Sequence, residues 1–194
     1  GYTVSFAAPA GSSYLLTAAN VGADGTDSDA TPAGSASGTT GSYTLASGQT
    51  NNTVDAGFYQ PVTIGNYVWD DKNGNGIQDD GATGIDGVKV TILYAGPDGI
   101  FGNTDDISTY VFTSGGGQYS YTGAPGNYQV SVGTPGDYSP TATGQGTAAT
   151  DSNPSPTTVT LTSGQTDDTI DFGFYQPAAL GDYAWIDANG NGVQ

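Results

Sequence analysis

The residues with the most evident chemistry are Asp and Asn side chains spaced two positions apart. Asp71, Asn73 and Asn75 hold positions 1, 3 and 5 of a loop, Ile77 offers its backbone carbonyl at position 7, and Asp79 holds position 9. This is the ligand spacing of an EF-hand calcium loop, which supplies hard oxygen donors. The spacing therefore predicts a calcium site, here without the flanking helices of an EF-hand.

The last ligand position of this loop departs from the EF-hand pattern. Position 12, normally a bidentate Glu, is Ala82, so Asp80 or Asp70 would have to supply the remaining oxygens. The alternative is an Asn-Gly-rich turn whose acids are only solvated. Recurrence of the same spacing near the end of the chain favours calcium. The recurring residues are Asp187, Asn189 and Asn191.

A second candidate loop spans residues 97–106 and contains Asp98, Asp105 and Asp106. The carboxylates of the adjacent Asp105 and Asp106 repel each other unless a positive charge lies near them. We expect calcium here too. The alternative is a polar hairpin loop with two exposed acids.

A third acidic cluster occurs twice. Its members are Asp24, Asp27 and Asp29 in the first copy, and Asp151 with Asn153 in the second. The alternative to calcium is a loop that caps itself with side-chain hydrogen bonds. Asp55 and Asp171 lie in predicted strands beside a glycine, where an inward carboxylate either binds metal or accepts backbone hydrogen bonds.

These candidate sites belong to a repeating sequence. Residues 64–78 return at 180–194, and residues 54–61 return at 170–177, both with an offset of 116 positions. A fixed offset between similar segments is the signature of a tandem array. We predict three segments: the C-terminal part of a first repeat at 1–60, a complete repeat at 61–177, and the start of a third at 178–194.

The elements that must position the loops are β-strands. Helix-forming residues are scarce, whereas Gly, Thr, Val, Tyr and Asp are common. Alternation and turn residues predict seven strands in the complete repeat, at about 63–69, 85–94, 107–113, 118–122, 127–132, 157–162 and 168–175. The predicted fold class is all-β, with tandem seven-stranded immunoglobulin-like sandwiches. If each strand reverses direction, the two termini of a repeat lie at opposite ends.

Composition excludes several classes of function. The chain has 19 acidic residues, all Asp, against two lysines, and its formal net charge is −17. Because the chain has no basic surface, we expect neither nucleic acid nor an anionic membrane as a partner. No apolar run approaches the roughly 20 residues that span a bilayer. Cys, His, Glu and Arg are missing, so nucleophile–base pairs and phosphate clamps cannot form, and we expect no enzyme.

Four phrases resemble a known family, the SdrD B-like domains of serine-aspartate repeat surface proteins, which are related to the collagen-adhesin B-type, prealbumin-like fold. The phrases are Gly-x-Tyr-Val-Trp-x-Asp-x-Asn-x-Asn-Gly-x-Gln-Asp at 65–79, Gly-Ile-Asp-Gly-Val-x-Val at 84–90, Asp-Ser-Asp at 27–29 and Asp-Phe-Gly at 171–173. The resemblance implies a seven-stranded sandwich, several calcium ions per domain and a stalk or spacer role. Ala82 and Asn153 replace acids that the family pattern would place there.

Together these observations predict a calcium-stabilised structural repeat of a large secreted or cell-surface fibrous protein. Its expected partners are neighbouring repeats of the same chain, or identical chains in a filament, with no membrane insertion in this segment. The alternative is an adhesin module that binds a glycan or protein ligand through its loops. Both readings place the chain outside the cell or on its surface.

Overall fold

The computed structural model describes residues 1–193, and Gln194, the last residue of the predicted third segment, lies outside the described residues. Within the described part every regular element is a β-strand, which confirms the all-β class. The strands are β1 (Ser5–Ala7), β2 (Leu15–Leu16), β3 (Thr31–Pro32), β4 (Ser37–Thr39), β5 (Phe58–Tyr59), β6 (Val62–Asp70), β7 (Lys89–Tyr94), β8 (Ile107–Phe112), β9 (Gln118–Gly123), β10 (Gly126–Val132), β11 (Ser139–Pro140), β12 (Thr157–Leu161), β13 (Thr166–Asp167) and β14 (Phe172–Tyr175).

The central part of the chain forms two sheets. One has the order β12-β10-β7-β8, and all its neighbouring strands are antiparallel. The other places β6 beside β14, β13 and β9, with the short β11 outside β14. β9 runs antiparallel to β6, whereas β13 and β14 run parallel to it. The parallel pairing confirms that the first and last strands point the same way, so the chain enters at one end and leaves at the other.

The core lies between these sheets and follows the alternation of the strands. Val62 and Ile64 of β6 are fully buried and Thr63 between them is only half-buried, the period expected of a strand with one face on a core. Facing strands contribute Val90, Ile92 and Val130, also fully buried. Each such aliphatic side chain contributes about 1.5–3 kcal/mol when removed from water.

Two predicted strands differ from the observed ones. The predicted strand at 85–94 begins only at Lys89, because Gly87 has a φ of 77° and Asp86 accepts hydrogen bonds from the Gly116 and Gly117 amides at 2.9 and 2.6 Å. These contacts hold residues 85–88 in a turn.

Only the second half of the predicted strand at 168–175 is observed, as β14, and the short β13 ends just before the predicted strand begins. Asp167 Oδ1 accepts from both the amide and the hydroxyl of Thr169, at 3.0 and 2.7 Å, and Asn66 Nδ2 donates to the Asp168 carbonyl at 2.7 Å. Over residues 168–171, hydrogen bonds to side chains thus take the place of the backbone bonds between strands. Hydrophobic periodicity alone does not reveal such a replacement. The two-residue strand β11 was not predicted.

Residues 1–60 repeat part of this pairing. Leu15 pairs with Tyr59 and Leu16 with Phe58, as Ser139 pairs with Tyr175 and Pro140 with Phe174. Tyr59 and Tyr175 correspond at the offset of 116 found in the sequence, whereas Leu15 and Ser139 are 124 positions apart, because the first copy has the longer loop. The stretch at 30–42, a longer loop than its counterpart, folds into the β3–β4 hairpin on β1. The repeat boundaries themselves stay a prediction.

Residues 178–193 contain no strand. Across residues 1–193 no helix has the length and apolar character needed to cross a membrane.

Candidate metal centre

The loop at 71–80 starts where β6 ends, and Asp71 anchors it. The Asp71 amide donates to the Phe174 carbonyl at 2.6 Å, and its side chain is fully buried. Oδ1 accepts from the amides of Gly74 and Asn75 at 2.9 and 3.2 Å, and Oδ2 from the amide of Gly76 at 2.7 Å. The Thr141 hydroxyl adds a donor to Oδ2 at 2.5 Å. The backbone of the loop is therefore held in a turn around the Asp71 carboxylate.

Glycine is required where the loop turns. Gly74 and Gly76 have φ values of 71° and 78°, a region that other residues rarely adopt. A Cβ on Gly76 would also lie 2.4 Å from the Ala142 carbonyl oxygen. The Asn-Gly-Asn-Gly spacing is thus fixed by backbone conformation and by the close approach of residue 142.

The remaining loop residues converge opposite Asp71. Asn73 Nδ2 donates to Asp79 Oδ1 at 2.8 Å and to Asp80 Oδ1 at 3.2 Å, and Asn75 Nδ2 donates to Asp79 Oδ2 at 3.0 Å. The Ile77 carbonyl accepts the Asp79 amide at 2.8 Å. Hydrogen bonds therefore join the side chains of Asn73, Asn75, Asp79 and Asp80 into one cluster. Asp80 would replace the missing acid at Ala82, whereas Asp70, the other candidate, is the last residue of β6.

The same loop conformation recurs at 187–193, outside any strand. Asp187 accepts from the Gly192 amide at 2.6 Å and the Asn191 amide at 3.2 Å. Asn189 accepts the Asn191 amide at 3.1 Å, and Asn191 accepts the Val193 amide at 2.9 Å. These bonds, led by that from Gly192, lower the pKa of Asp187. The local sequence alone is therefore enough to specify this conformation.

The second loop collects fewer groups. Asp98 accepts from the Ile100 amide at 2.9 Å and from Asn103 Nδ2 at 2.8 Å. Asp106 Oδ2 accepts the Gly102 amide at 2.7 Å, whereas its Oδ1 is buried without a partner. The Asp105 carboxylate covers Gly96, where a Cβ would lie 2.1 Å from Oδ2.

Asp171 is the most unusual carboxylate of the chain. It is fully buried, and neither Oδ1 nor Oδ2 has a hydrogen-bond partner. Burial is the main cause that raises its pKa to about 7, and nearby Asp151 and Asp168 raise it further. Gln78 and the Tyr67 backbone act in the opposite direction, but Gln78 Nε2 does not reach hydrogen-bonding geometry.

Backbone contacts place Asp171 beside the third acidic cluster. Asn153 and Asp171 exchange bonds: the Asp171 amide donates to Asn153 Oδ1 at 2.6 Å and the Asn153 amide to the Asp171 carbonyl at 2.7 Å. Asp151 Oδ1 is also buried without a partner. The Gln78 amide joins the first loop to this group by donating to the Thr150 carbonyl at 2.8 Å.

The first copy repeats this arrangement with an acid in place of Asn153. Asp29 Oδ2 accepts the Asp55 amide at 2.8 Å, and Asp29 Oδ1 accepts the Tyr43 hydroxyl at 3.1 Å. Asp27 Oδ1 and Asp55 Oδ1 are buried without partners. Asp24 is exposed. The pKa of the Tyr43 hydroxyl is raised mainly by burial, then by Asp29, and further by the negative charge of Asp24.

Sequence reasoning missed two residues of these sites, Thr141 and Gln78. Gln78 belongs to the repeated phrase, so its recurrence was the available signal, whereas nothing in the sequence marks Thr141. Among residues 1–193 no three Asp, Glu, His or Cys side chains form a group that could hold a metal ion. The candidate sites therefore combine carboxylates with Asn and Gln amides and backbone carbonyls, an all-oxygen donor set that suits calcium.

Comparison with known proteins agrees with these features. A family profile described as the SdrD B-like domain matches residues 62–174. Serine-aspartate repeat-containing protein F of Staphylococcus epidermidis is 38% identical over 198 residues, covering all of this chain and 11% of that protein. Serine-aspartate repeat-containing protein D of Staphylococcus aureus, strain MW2, is 35% identical, covering all of this chain and 13% of that protein. The chain spans about a tenth of the length of these relatives.

The comparisons confirm four expectations from the sequence. The resemblance to SdrD B-like domains holds over the complete repeat, and the domain is a β-sandwich. Domains of this kind are structural repeats and not enzymes. An extracellular or cell-surface location is confirmed as well.

We expect Asp171 to make stability depend on pH when calcium is chelated. Its folded pKa, about 7, lies above the unfolded value near 3.9, so the folded chain keeps this proton longer and loses stability as pH rises through that interval. Lowering the pH from 7.5 to 5.5 should stabilise the chain by about 2 kcal/mol, measured by urea unfolding in chelator.

Asp171→Asn should remove most of this pH dependence, because the amide does not titrate. Asp168→Asn is the matched control, since it removes one charge from an exposed position nearby. If both variants keep the full pH dependence, the buried carboxylate is not its source.

Proposed function

The chain belongs to the family of SdrD B-like domains, and we propose that it is a calcium-stabilised stalk or spacer segment of a large cell-surface protein. One observation carries the proposal: Asp171 is fully buried with both oxygens unpartnered, beside the orphaned Oδ1 of Asp151. An unpaired buried carboxylate costs several kcal/mol. A bound cation would remove that cost, and neither of the two lysines of the chain lies in this cluster.

The first loop supports the same proposal. Asp71 shapes it, while Asn73, Asn75, Asp79 and Asp80 converge through amide–carboxylate contacts. An amide that turns by half a rotation presents its oxygen where its nitrogen now lies, and the two orientations are nearly isosteric. The loop can therefore offer carboxylate and amide oxygens to an ion with little change of backbone.

Calcium bound in these sites would supply positive charge to a strongly acidic chain. The protein's part is to hold the donors in place: Asp71 through the Gly74–Gly76 amides, and Asp171 through Asn153. The spacer role follows from the opposite-end termini, because segments that enter at one end and leave at the other extend an array.

A second candidate function is ligand binding, as in an adhesin. It is favoured by Tyr110 and Phe112, two aromatic rings of the edge strand β8 that are each 56% exposed and packed edge-to-face. Lys89 lies over the Tyr110 ring at 4.5 Å. Exposed aromatic patches of this kind mark interaction surfaces.

Chelation of calcium should lower the melting temperature of the chain. An ion that binds only the folded state stabilises it by about 2.7 kcal/mol per site at one hundred times its Kd. Scanning calorimetry with millimolar calcium and with chelator would show the difference, with magnesium as the control ion. An unchanged midpoint in chelator would contradict the calcium proposal.

Asp71→Ala should damage the complete repeat more than Asp98→Ala. Asp71 is fully buried and accepts four hydrogen bonds, whereas Asp98 is exposed and accepts two. We expect losses of roughly 2–4 kcal/mol and under about 1 kcal/mol, with an ion lost from the first loop in Asp71→Ala. Urea unfolding and native mass spectrometry give the two quantities. Equal losses in both variants would overturn the ranking.

Replacing Tyr110 and Phe112 together by Ser tests the adhesin candidate. If the chain binds glycans or matrix proteins through this patch, binding to panels of both should fall at least about tenfold, while the melting temperature stays close to that of the unchanged chain. Replacing Tyr2 and Tyr14 by Ser is the matched control, since both are exposed aromatics outside the patch. Binding that survives in the patch variant excludes this surface.

A further inference from the structure

Only Gln60 and Pro61 separate the last strand of the first copy from the first strand of the second, and together with Tyr59, the last residue of β5, they form what we call the link. β5 ends at Tyr59 and β6 begins at Val62. So short a connection brings the two copies into contact, and Pro61 restricts its backbone.

Gln60 is bonded to both copies. Its amide donates to Ser163 Oγ at 2.7 Å, and its carbonyl accepts the Gly164 amide at 3.0 Å. Its side-chain Nε2 reaches back to Ser13 Oγ of the first copy at 3.2 Å. The backbone of Gln60 is therefore held by two hydrogen bonds, one to the Ser163 hydroxyl and one from the Gly164 amide, in a turn about one hundred residues further along the chain.

The turn that receives Gln60 is itself well defined. The Gln165 amide donates to the Thr162 carbonyl at 3.0 Å, and Gln165 Oε1 accepts the Thr162 amide at 3.1 Å. Gly164 has a φ of 78°, and a Cβ at this position would lie 2.7 Å from Gln60 Oε1. Glycine thus serves both the turn conformation and the close approach of the link.

A cluster of tyrosines lies beside this turn. The Tyr128 ring centroid is 5.1 Å from that of Tyr94 and 5.9 Å from that of Tyr121. Burial raises the pKa of all three hydroxyls, and the Tyr59 hydroxyl of the link raises each further. Tyr59 is half-buried and lines one cavity together with Tyr94 and Pro125 of the second copy, so it lies against the end of that copy.

Both halves of this contact recur in the sequence. The link phrase Phe-Tyr-Gln-Pro returns at 174–177, and the turn phrase Ser-Gly-Gln occurs at 47–49 as well as at 163–165. Gln176, the counterpart of Gln60, is exposed. Each copy carries a link at its exit end and a receiving turn at its entry end, so the partner that fits the link is another repeat of the same kind.

We propose that the Tyr-Gln-Pro link docks onto the Ser-Gly-Gln turn and tyrosine cluster of the following repeat, and so fixes the orientation between successive repeats. The inference rests on the spacer role proposed above but does not depend on calcium. Its contacts are hydrogen bonds to Ser163 and Gly164 and packing by Tyr59, and none involves a carboxylate.

A designed disulfide tests the docking, since the chain contains no Cys. A Cβ on Gly164 would lie 3.4 Å from the Gln60 Cβ, close to the 3.5–4.5 Å of disulfides. In Gln60→Cys/Gly164→Cys, equilibration in glutathione buffers measures the effective concentration of one thiol at the other. A flexible tether gives a millimolar value, and we expect a value at least about one hundred times higher here. The measurement is made on the full 194-residue chain, with and without chelator.

The matched control is Gln176→Cys/Gly164→Cys. It uses the same receiving turn and the same link phrase, but the two positions lie at opposite ends of the folded sandwich, so it should close only when the sandwich is unfolded. Because Cys at Gly164 is strained, Gln60→Cys/Ser163→Cys provides a second pair that keeps this glycine.

The outcomes separate docking from the spacer proposal. Strong pairing of both test pairs in chelator, with the control open, supports docking by packing and hydrogen bonds alone. Pairing no better than that of a flexible tether in both test pairs, while the melting temperature shows a folded sandwich, overturns the docking but leaves the spacer proposal standing. Pairing that is strong only with calcium also overturns it, since the contact would then depend on the ion.

Discussion

The parallel pairing of β6 with β14 is the constraint from which most of this structure follows. It is the one place where the first and last strands of the complete copy meet, with Phe172 beside Val68 and Phe174 beside Asp70. Because parallel strands cannot be joined by a tight hairpin, the whole intervening chain must form the crossover between them. That crossover builds both sheets of the sandwich and sends the entry and exit of the chain to opposite ends.

The same pairing positions the acids. The Phe174 carbonyl accepts the Asp71 amide just beyond the last ladder bond, so the first loop begins directly beside the exit strand. Asp171 immediately precedes β14 and is buried there, with the Asp-Ser-Asn segment on its other side. The two carboxylates differ in how burial is compensated: Asp71 has four donors and Asp171 has none. An elevated pKa at Asp171 is the direct result.

How well the sequence predicts each part depends on how far apart the interacting residues lie. The conformation of the Asp71 loop is predictable because the amides that donate to the Asp71 carboxylate lie at most five residues away, and it recurs at Asp187 without a sandwich around it. Strand alternation is also local, and it located the seven strands to within a few residues. The lack of strand pairing at 168–171 depends in part on Asn66, a residue far away in sequence, so the pattern of that segment alone does not reveal it. Thr141 reaches Asp71 across 70 positions and was missed for the same reason.

In an array, the acidic loops and the link between repeats depend on contacts of different range. The first acidic loop takes its conformation from its own sequence, as its recurrence at Asp187 indicates, so an ion would add mainly charge compensation there. The link at Gln60 has no such local support, because its backbone partners lie in the turn at Ser163 and Gly164. That turn joins β12 to β13, so its position beside Gln60 is set by the pairing of these strands in their two sheets. A repeat must therefore fold before it can receive the link of the preceding repeat. The orientation between the two repeats is then set by contacts with a folded surface, whereas ions would balance the charge of the acidic loops.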